Sequence, residues 1–366
     1  MKPALQSILP VAAVIGIAMV MHFAGGMLLN GYQLNLAAQA GIAIVLAVSL
    51  NIVNGLAGQF SIGHAGFAAI GGYAAGALLF YGSIRIFGPE GIDGGILSYT
   101  LPLSFFREGM PLFALGDLVF PIAALLCGLL AAGIGWLVGL PSLRLRGDYL
   151  AIVTIGFAEI VRVLLESSRP QITQPEAVLA AKPTELMVSL GQAIGFNRVP
   201  KFASLFWVYL TVGAACLVAY RIKYSKFGRA YLAIREDEIA AEAMGVHTTR
   251  FKVQAFVISA FFAGLAGALV ASSQGTITAS SLAFLRSVEI VIMVVLGGLG
   301  SISGAVIAAV FLTLLPEVLQ AEIVQRYRLI LYAMVLILVM ILRPRGLFGL
   351  REIWDFWKPG RKAEVL

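Results

Sequence analysis

Apolar runs of about twenty residues, the length that crosses the hydrocarbon core of a bilayer, alternate along this chain with shorter polar connections. The clearest runs are Ile8–Leu29, Leu34–Val53, Ile62–Tyr81, Leu118–Leu140, Phe202–Tyr220 and Val253–Ala271. Tyr149–Leu165 is apolar apart from Glu159 and Arg162. Further runs end at Leu299, cover Ile302–Leu319 and end at Leu342. The pattern predicts an all-α polytopic membrane protein of about ten transmembrane helices, since helices satisfy every backbone polar group internally in lipid. Lys2 followed by Ile8–Met21 also has the form of a secretory signal, but the apolar continuation to Leu29 favours an uncleaved first helix.

Composition agrees. The 366 residues are 60% hydrophobic and only 12% charged, too few charges to cover a water-facing surface. A helical bundle in lipid need not divide as a soluble chain of this length would, so residues 1–366 are expected to form a single transmembrane domain. The net charge of +7 does not point to nucleic acid, because the basic residues cluster at the ends of apolar runs, on one side of the bilayer. That bias puts both termini in the cytoplasm. The outer loops, Gly82–Asp117 and Glu166–Lys201, hold apolar stretches at Leu101–Phe106 and Leu186–Ile194 that suit short interfacial helices.

Glycine occurs at 40 positions, including pairs four or three apart: Gly72 and Gly76, Gly300 and Gly304, Gly264 and Gly267. Such pairs allow close helix approach. Leu56–Ile70 laid over Leu296–Val310 shares several Leu, Gly, Ser, Ile and Ala positions. Either these small residues coincide by chance, or the segments are two interrupted helices flanking a pathway.

One polar island stands out on the cytoplasmic side. Gly228–Lys252 (GRAYLAIREDEIAAEAMGVHTTRFK) predicts a short helix with Ile234, Ile239, Ala243 and Val246 near one face. Glu238 and Glu242 stand one turn apart, and Gly245 is placed to end the helix. An amphipathic helix with an acidic side suits docking to a basic groove; a merely solvated loop is the alternative.

Polar groups within the runs are the other candidates. Gly55–Gly76 is rich in glycine around Gln59, Ser61, Gly63 and His64. A broken helix there would expose N–H groups able to hold a carboxylate, with Ser61 and His64 as added donors, while close packing beside a polar turn explains the same residues without a ligand. Glu159 could face a substrate ammonium or simply pair with Arg162, and Glu289 could pair with Arg286. Cys127, Cys216, His22 and His247 lack partners in disulfide or metal-ligand spacing, so no metal site is expected. Arg343–Gly346, followed by Trp354, Trp357, Arg361 and Lys362, fits an anchored cytoplasmic tail over 343–366.

Ile239–Gly245 (IAAEAMG) resembles the E-A-A-x-x-x-G coupling motif of ABC importer permeases, with Ile239 at the usual glutamate position. Five segments, in order, resemble branched-chain amino acid permeases of LivM type: LNIVNGLAGQFSIGHAGFAAIGGYAAGAL (Leu50–Leu78), LRLRGDYLAIVTIGFAEIVRVLL (Leu143–Leu165), AIREDEIAAEAMGVHTTRFK (Ala233–Lys252), MVVLGGLGSISGAVIAA (Met293–Ala309) and RPRGLFG (Arg343–Gly349). The resemblance implies a type II-like importer permease in a bacterial inner membrane, moving branched-chain or related amino acids by alternating access. It implies a LivH-type second permease, two LivG/LivF-type ATPases that bind ATP and Mg, and a periplasmic binding protein. A coupling loop over 223–252 would then meet an ATPase through Arg235, Glu236, Asp237, Glu238, Ile239, Glu242, Ala243 and Gly245. The chain lacks a G-x-x-x-x-G-K-[ST] phosphate loop and is expected to be no enzyme, with energy entering from partners. An ion-coupled carrier using Glu159, Asp148 and Glu289, and an intramembrane hydrolase using Ser61 and His64, are the rival functions.

Overall fold

The computed structural model describes residues 3–89, 116–142, 148–318, 346–349 and 351–356, with 334, 337 and 341 as isolated positions. In chain order the long helices are α1 (Pro3–Leu28), α2 (Gly31–Asn51), α3 (His64–Phe87), α4 (Gly116–Ser142) and α5 (Asp148–Glu166). After the short α6 (Pro175–Ala180) and α7 (Pro183–Val188) come α8 (Leu205–Lys223), α9 (Lys226–Glu236), α10 (Glu238–Ala243), α11 (Thr248–Gln274), α12 (Phe284–Gly297), α13 (Ile302–Val318) and α14 (Ile353–Phe356). No strand occurs among the described residues, only an isolated bridge between Phe196 and Ile277.

Seven helical segments among the described residues are long and apolar enough to cross a membrane. Two of the remaining expected spans are present as helices but fall short of that measure: α5 carries Asp148, Glu159, Arg162 and Glu166, and α13 is too short. Apart from the isolated positions 334, 337 and 341, the expected last span, ending at Leu342, lies outside the described residues, as does the Leu101–Phe106 stretch.

Helix placement follows from side-chain distribution. Nearly all of α2 from Ala38 to Asn51 is buried, as befits a helix apolar on every side, and α11 is buried along most of its length. Those two form the centre, with α11 packed along α3 and α4 and α13 laid against α2 and α12. α1 rests on α8 at the periphery, its side chains mostly exposed. Glycine sets the α3–α11 spacing: a Cβ at Gly71 would sit 2.2 Å from the Gly264 carbonyl oxygen, and one at Gly267 would sit 1.9 Å from that of Ala68. The backbones touch there without side chains between them, as the small-residue pattern predicts.

Gly300 departs from its expected part in helix packing. It lies between α12 and α13 with φ +90°, a turn position that favours glycine, while Gly304 packs directly on Gly297. The loop after α5 is pinned to the bundle by Tyr81, whose hydroxyl donates to the Ser189 carbonyl at 2.7 Å and accepts from the Ile172 N–H at 3.2 Å.

Candidate functional site

The polar chemistry collects where α2 gives way to α3 and α12 to α13. α2 ends in a wide π-helical turn (Ile52–Leu56), and the chain then runs without regular structure to His64, turning at Gly58, whose φ is +67°. The interruption therefore lies between two helices rather than within one. Asn54 holds it by accepting from the Ser61 N–H at 3.2 Å and donating to the Ser61 carbonyl at 3.1 Å. The start of α3 is satisfied by its neighbours, since Thr154 of α5 accepts from the Ile62 N–H and Ser287 of α12 accepts from the Ala65 N–H, each at 3.1 Å.

The expected pathway residues divide. Gln59, Ser61, Gly63 and His64 are all buried in this first break. Gly63 fits tightly under α5, where a Cβ would lie 2.3 Å from the Thr154 carbonyl oxygen. His64 Nε2 meets Ser49 Oγ at 2.8 Å, and because that hydroxyl donates to the Leu46 carbonyl, it is left to accept from the imidazole N–H. So His64 is bonded to Ser49 and not to Ser61. The Gln59 amide is buried with neither its oxygen nor its nitrogen bonded among the described residues. Glu159 stands apart on α5, where Arg162 bridges it at 2.8 Å to Glu166 at 2.6 Å. Arg286 pairs with Glu289 at 2.7 Å, so both intrahelical partnerships follow the sequence spacing.

The second break abuts the first. A Cβ on Gly55 would lie 2.4 Å from the Gly300 nitrogen, and Asn51 fastens the two together. Its side-chain oxygen accepts from the Gly300 N–H at 2.9 Å and its nitrogen donates to the Ser301 carbonyl at 2.9 Å. Spacing in the sequence gives no sign of a contact between residues 249 positions apart.

The polar island adds to this hub. It forms two helices where one was expected, because Asp237, in extended conformation, turns its carboxylate to the Ile239 and Ala240 N–H groups at 2.9 and 3.0 Å and so caps α10. Ser225 caps α9 in the same way. Gly245, with φ +85°, ends α10 as expected, and Val246 N–H donates back to the Ala241 carbonyl in the closing turn. The break at Asp237 also splits the expected apolar face: Ile234 turns into the bundle, while Ile239 is 67% and Met244 85% exposed. Of the two acids one turn apart, Glu238 pairs with the buried Lys252 at 2.6 Å and Glu242 stays exposed.

Two cations reach the breaks, one at the end of α9 and one at the end of α8 just before it. Arg235, at the end of α9, donates from Nη1 to the Gly55 carbonyl at 3.0 Å and pairs with Glu236. Lys223, at the end of α8, donates to the Gly300 carbonyl at 2.8 Å and pairs with Glu352 at 2.5 Å. Glu352, wholly buried, also accepts from the Ile302 and Ser303 N–H groups at 3.0 and 2.9 Å, placing a carboxylate at the start of α13, where the helix dipole favours it. Leu347 N–H donates to the Leu296 carbonyl, so the tail is woven into the second break, a role that anchoring at an interface did not anticipate.

These features define a multi-pass integral membrane protein whose inner polar groups gather beside an exposed, capped helix pair. Residues 32–340 match the family described as branched-chain amino acid transport system / permease component. The chain is 34% identical over 331 residues to the high-affinity branched-chain amino acid transport system permease protein LivM of Salmonella typhimurium, covering 86% of this chain and 69% of that protein. For the protein of the same name from Escherichia coli the figures are 34% over 322 residues, 84% and 67%. The permease protein LivH of Escherichia coli is 31% identical over 165 residues, 45% of this chain and 53% of that one. No solved structure matches significantly. The chain belongs to the family of permease components of branched-chain amino acid transport systems.

Proposed function

We propose that this chain is the transmembrane permease subunit of an ATP-driven importer that carries branched-chain or related amino acids across a bacterial inner membrane by alternating access. Its partners are a LivH-type permease, two LivG/LivF-type ATPases that hold ATP and Mg, and a periplasmic binding protein. The observation that carries this reading is the α9–α10 pair, which leaves the bundle as a capped unit, exposes Ile239, Glu242 and Met244 at its tip, and is tied at its base to the helix breaks. An exposed apolar tip flanked by a carboxylate suits a cleft on an ATPase. The similarity to both LivM and LivH proteins supports a pair of homologous permeases.

In this scheme the tip and both termini are cytoplasmic, about ten helices span the bilayer in a type II-like arrangement, and the chain catalyses no reaction. Gln59, Ser61, Gly63 and His64 border the pathway at its inner end. The unbonded Gln59 amide, with one donor face and one acceptor face, is the group best suited to meet a zwitterion. Glu159, already neutralised by Arg162, contributes at a separate point along the path.

The test is co-purification of the tagged chain from its native membrane, wild type against Glu242→Lys combined with Met244→Asp, with the bound proteins identified. Two ATPases and a second permease with wild type, and loss of the ATPases in the variant, are expected. Wild type that purifies alone and moves substrate in liposomes under a proton gradient would favour an ion-coupled carrier instead.

A further inference from the structure

We propose that Arg235 and Lys223 are the positioning residues that transmit movement of the α9–α10 pair to both helix breaks at once. The inference rests on the docking role proposed for that pair. Four observations carry it.

First, both cations grip main-chain carbonyls that a helix break sets free: Gly55 at the end of α2 and Gly300 just beyond α12. The Gly55 carbonyl lies in the closing turn of α2 and carries the partial negative charge of a helix C-terminus, so Arg235 is held there by charge as well as by the hydrogen bond; Lys223 is held at Gly300 by its ion pair with Glu352.

Second, the fit at Arg235 is steric as well as polar. A Cβ on Gly58 would fall 2.3 Å from the Arg235 side-chain Cγ and 3.0 Å from its Cα, so the turn of the first break is pressed against the arginine stem. Movement of α9 towards that turn therefore pushes backbone, and movement away pulls on the Gly55 carbonyl.

Third, the two breaks cannot move independently. Asn51 bonds to the Gly300 N–H and the Ser301 carbonyl, and the Gly55 and Gly300 backbones are in contact. Interfaces packed this closely shift between discrete arrangements instead of deforming continuously.

Fourth, the hinge is in the right place. Asp237 separates α9 from α10 immediately beyond Arg235, while Glu238–Lys252 ties α10 to the start of α11. An apolar crevice of about 1080 Å³ lies between Phe227 and Tyr231 of α9, Trp136 and Leu140 of α4 and Val257 of α11, so this part of α9 is not packed tight against α4.

The experiment uses the complete importer in proteoliposomes, with substrate uptake and ATP hydrolysis measured together on wild type, Arg235→Met, Arg235→Lys and Lys223→Met combined with Glu352→Gln, which removes both charges of the tail's ion pair together. Complexes of Arg235→Met, and of the Lys223→Met, Glu352→Gln double variant, are expected to assemble and hydrolyse ATP, while substrate moved per ATP falls about tenfold or more, the scale on which loss of one charge-assisted hydrogen bond alters an equilibrium. Arg235→Lys keeps a cationic donor and is expected to recover most of the ratio. A wild-type ratio in Arg235→Met overturns the inference. So does a parallel fall in both activities, or failed assembly, that lysine does not rescue, since Arg235 would then serve the fold alone. Failure of the underlying importer reading is seen separately, as wild type that brings no ATPase with it.

Discussion

Removing the Lys223 ammonium should unfasten the tail from the bundle, and the size of the effect can be worked out. Glu352 is fully buried and accepts from Lys223 Nζ, from the Ile302 and Ser303 N–H groups and from the Ser303 hydroxyl. Lys223→Met leaves that carboxylate buried with only neutral donors. Breaking a buried ion pair by deleting one partner costs about 3–5 kcal/mol, at the lower end here because the start of α13 still favours the anion. Glu352→Gln keeps the shape but turns one end of the group into a donor facing donors, and charge-assisted hydrogen bonds are worth about 1.5–3 kcal/mol each. The double variant removes both charges together. It should therefore be less unstable than the two single losses added, by about 1–3 kcal/mol. Equilibrium unfolding of all four proteins in mixed micelles measures the cycle, and protease cleavage after Arg351 reports release of the tail. Single losses below about 1 kcal/mol that simply add would refute the reasoning, because such a result means the pair is not buried in the folded protein.

Two further outcomes follow from local geometry. Gly267→Leu should leave little folded protein, since its Cβ would sit 1.9 Å from the Ala68 carbonyl oxygen at the α3–α11 crossing, whereas Gly82→Ala, with nothing within 4 Å, should be neutral or slightly stabilising; size-exclusion profiles of the two variants separate the cases. Tyr231, buried on α9 with Phe251 edge-on at 5.9 Å, has its hydroxyl pKa pushed from 10.0 up to about 12 by burial. A raised pKa in the folded state means stability that is complete below pH 10 and is lost as the pH climbs towards 12. Alkaline loosening of α9, followed by its accessibility to protease, should therefore be shallower in Tyr231→Phe.

What the sequence made legible was local. Apolar runs marked the long helices, the three-residue spacings paired Glu159 with Arg162 and Glu289 with Arg286, and Gly245 marked a helix end, because each depends on a neighbour within about one turn. The hinge at Asp237 was also local and open to detection: an aspartate whose carboxylate can reach N–H groups two and three positions on is an N-cap signal, hidden here by an apolar pattern that continues on both sides of it. The hub was not legible. Asn51 to Gly300, Arg235 to Gly55 and Lys223 to Glu352 join segments far apart in the chain, and nothing in the immediate surroundings of any of these residues points to its partner. The pathway residues stand between these cases. Their types and clustering in one break were visible, but that Asn54 and Ser49 would occupy the bonding capacity of Ser61 and His64, and leave Gln59 without a bond, was not.

The weak likeness between Leu56–Ile70 and Leu296–Val310 gains physical content once the breaks are compared. In that alignment Gly58 falls on Gly298, and both have positive φ, +67° and +109°. Ser61 falls on Ser301, and each serine carbonyl accepts from an asparagine side chain at the end of α2, Asn54 at 3.1 Å and Asn51 at 2.9 Å. In each break a nearby carbonyl, Gly55 or Gly300, accepts from a cation. Chance similarity among small apolar residues accounts for shared letters but not for a positive-φ glycine and an asparagine-held serine carbonyl at the same two positions of both segments. The two breaks, α2 to α3 and α12 to α13, also meet, so they lie at the same end of the bundle. A repeat built this way relates segments that run in the same direction rather than inverted ones. It gives the segment bearing Lys223 and Arg235 two similar handles side by side, and a single displacement can then act on both.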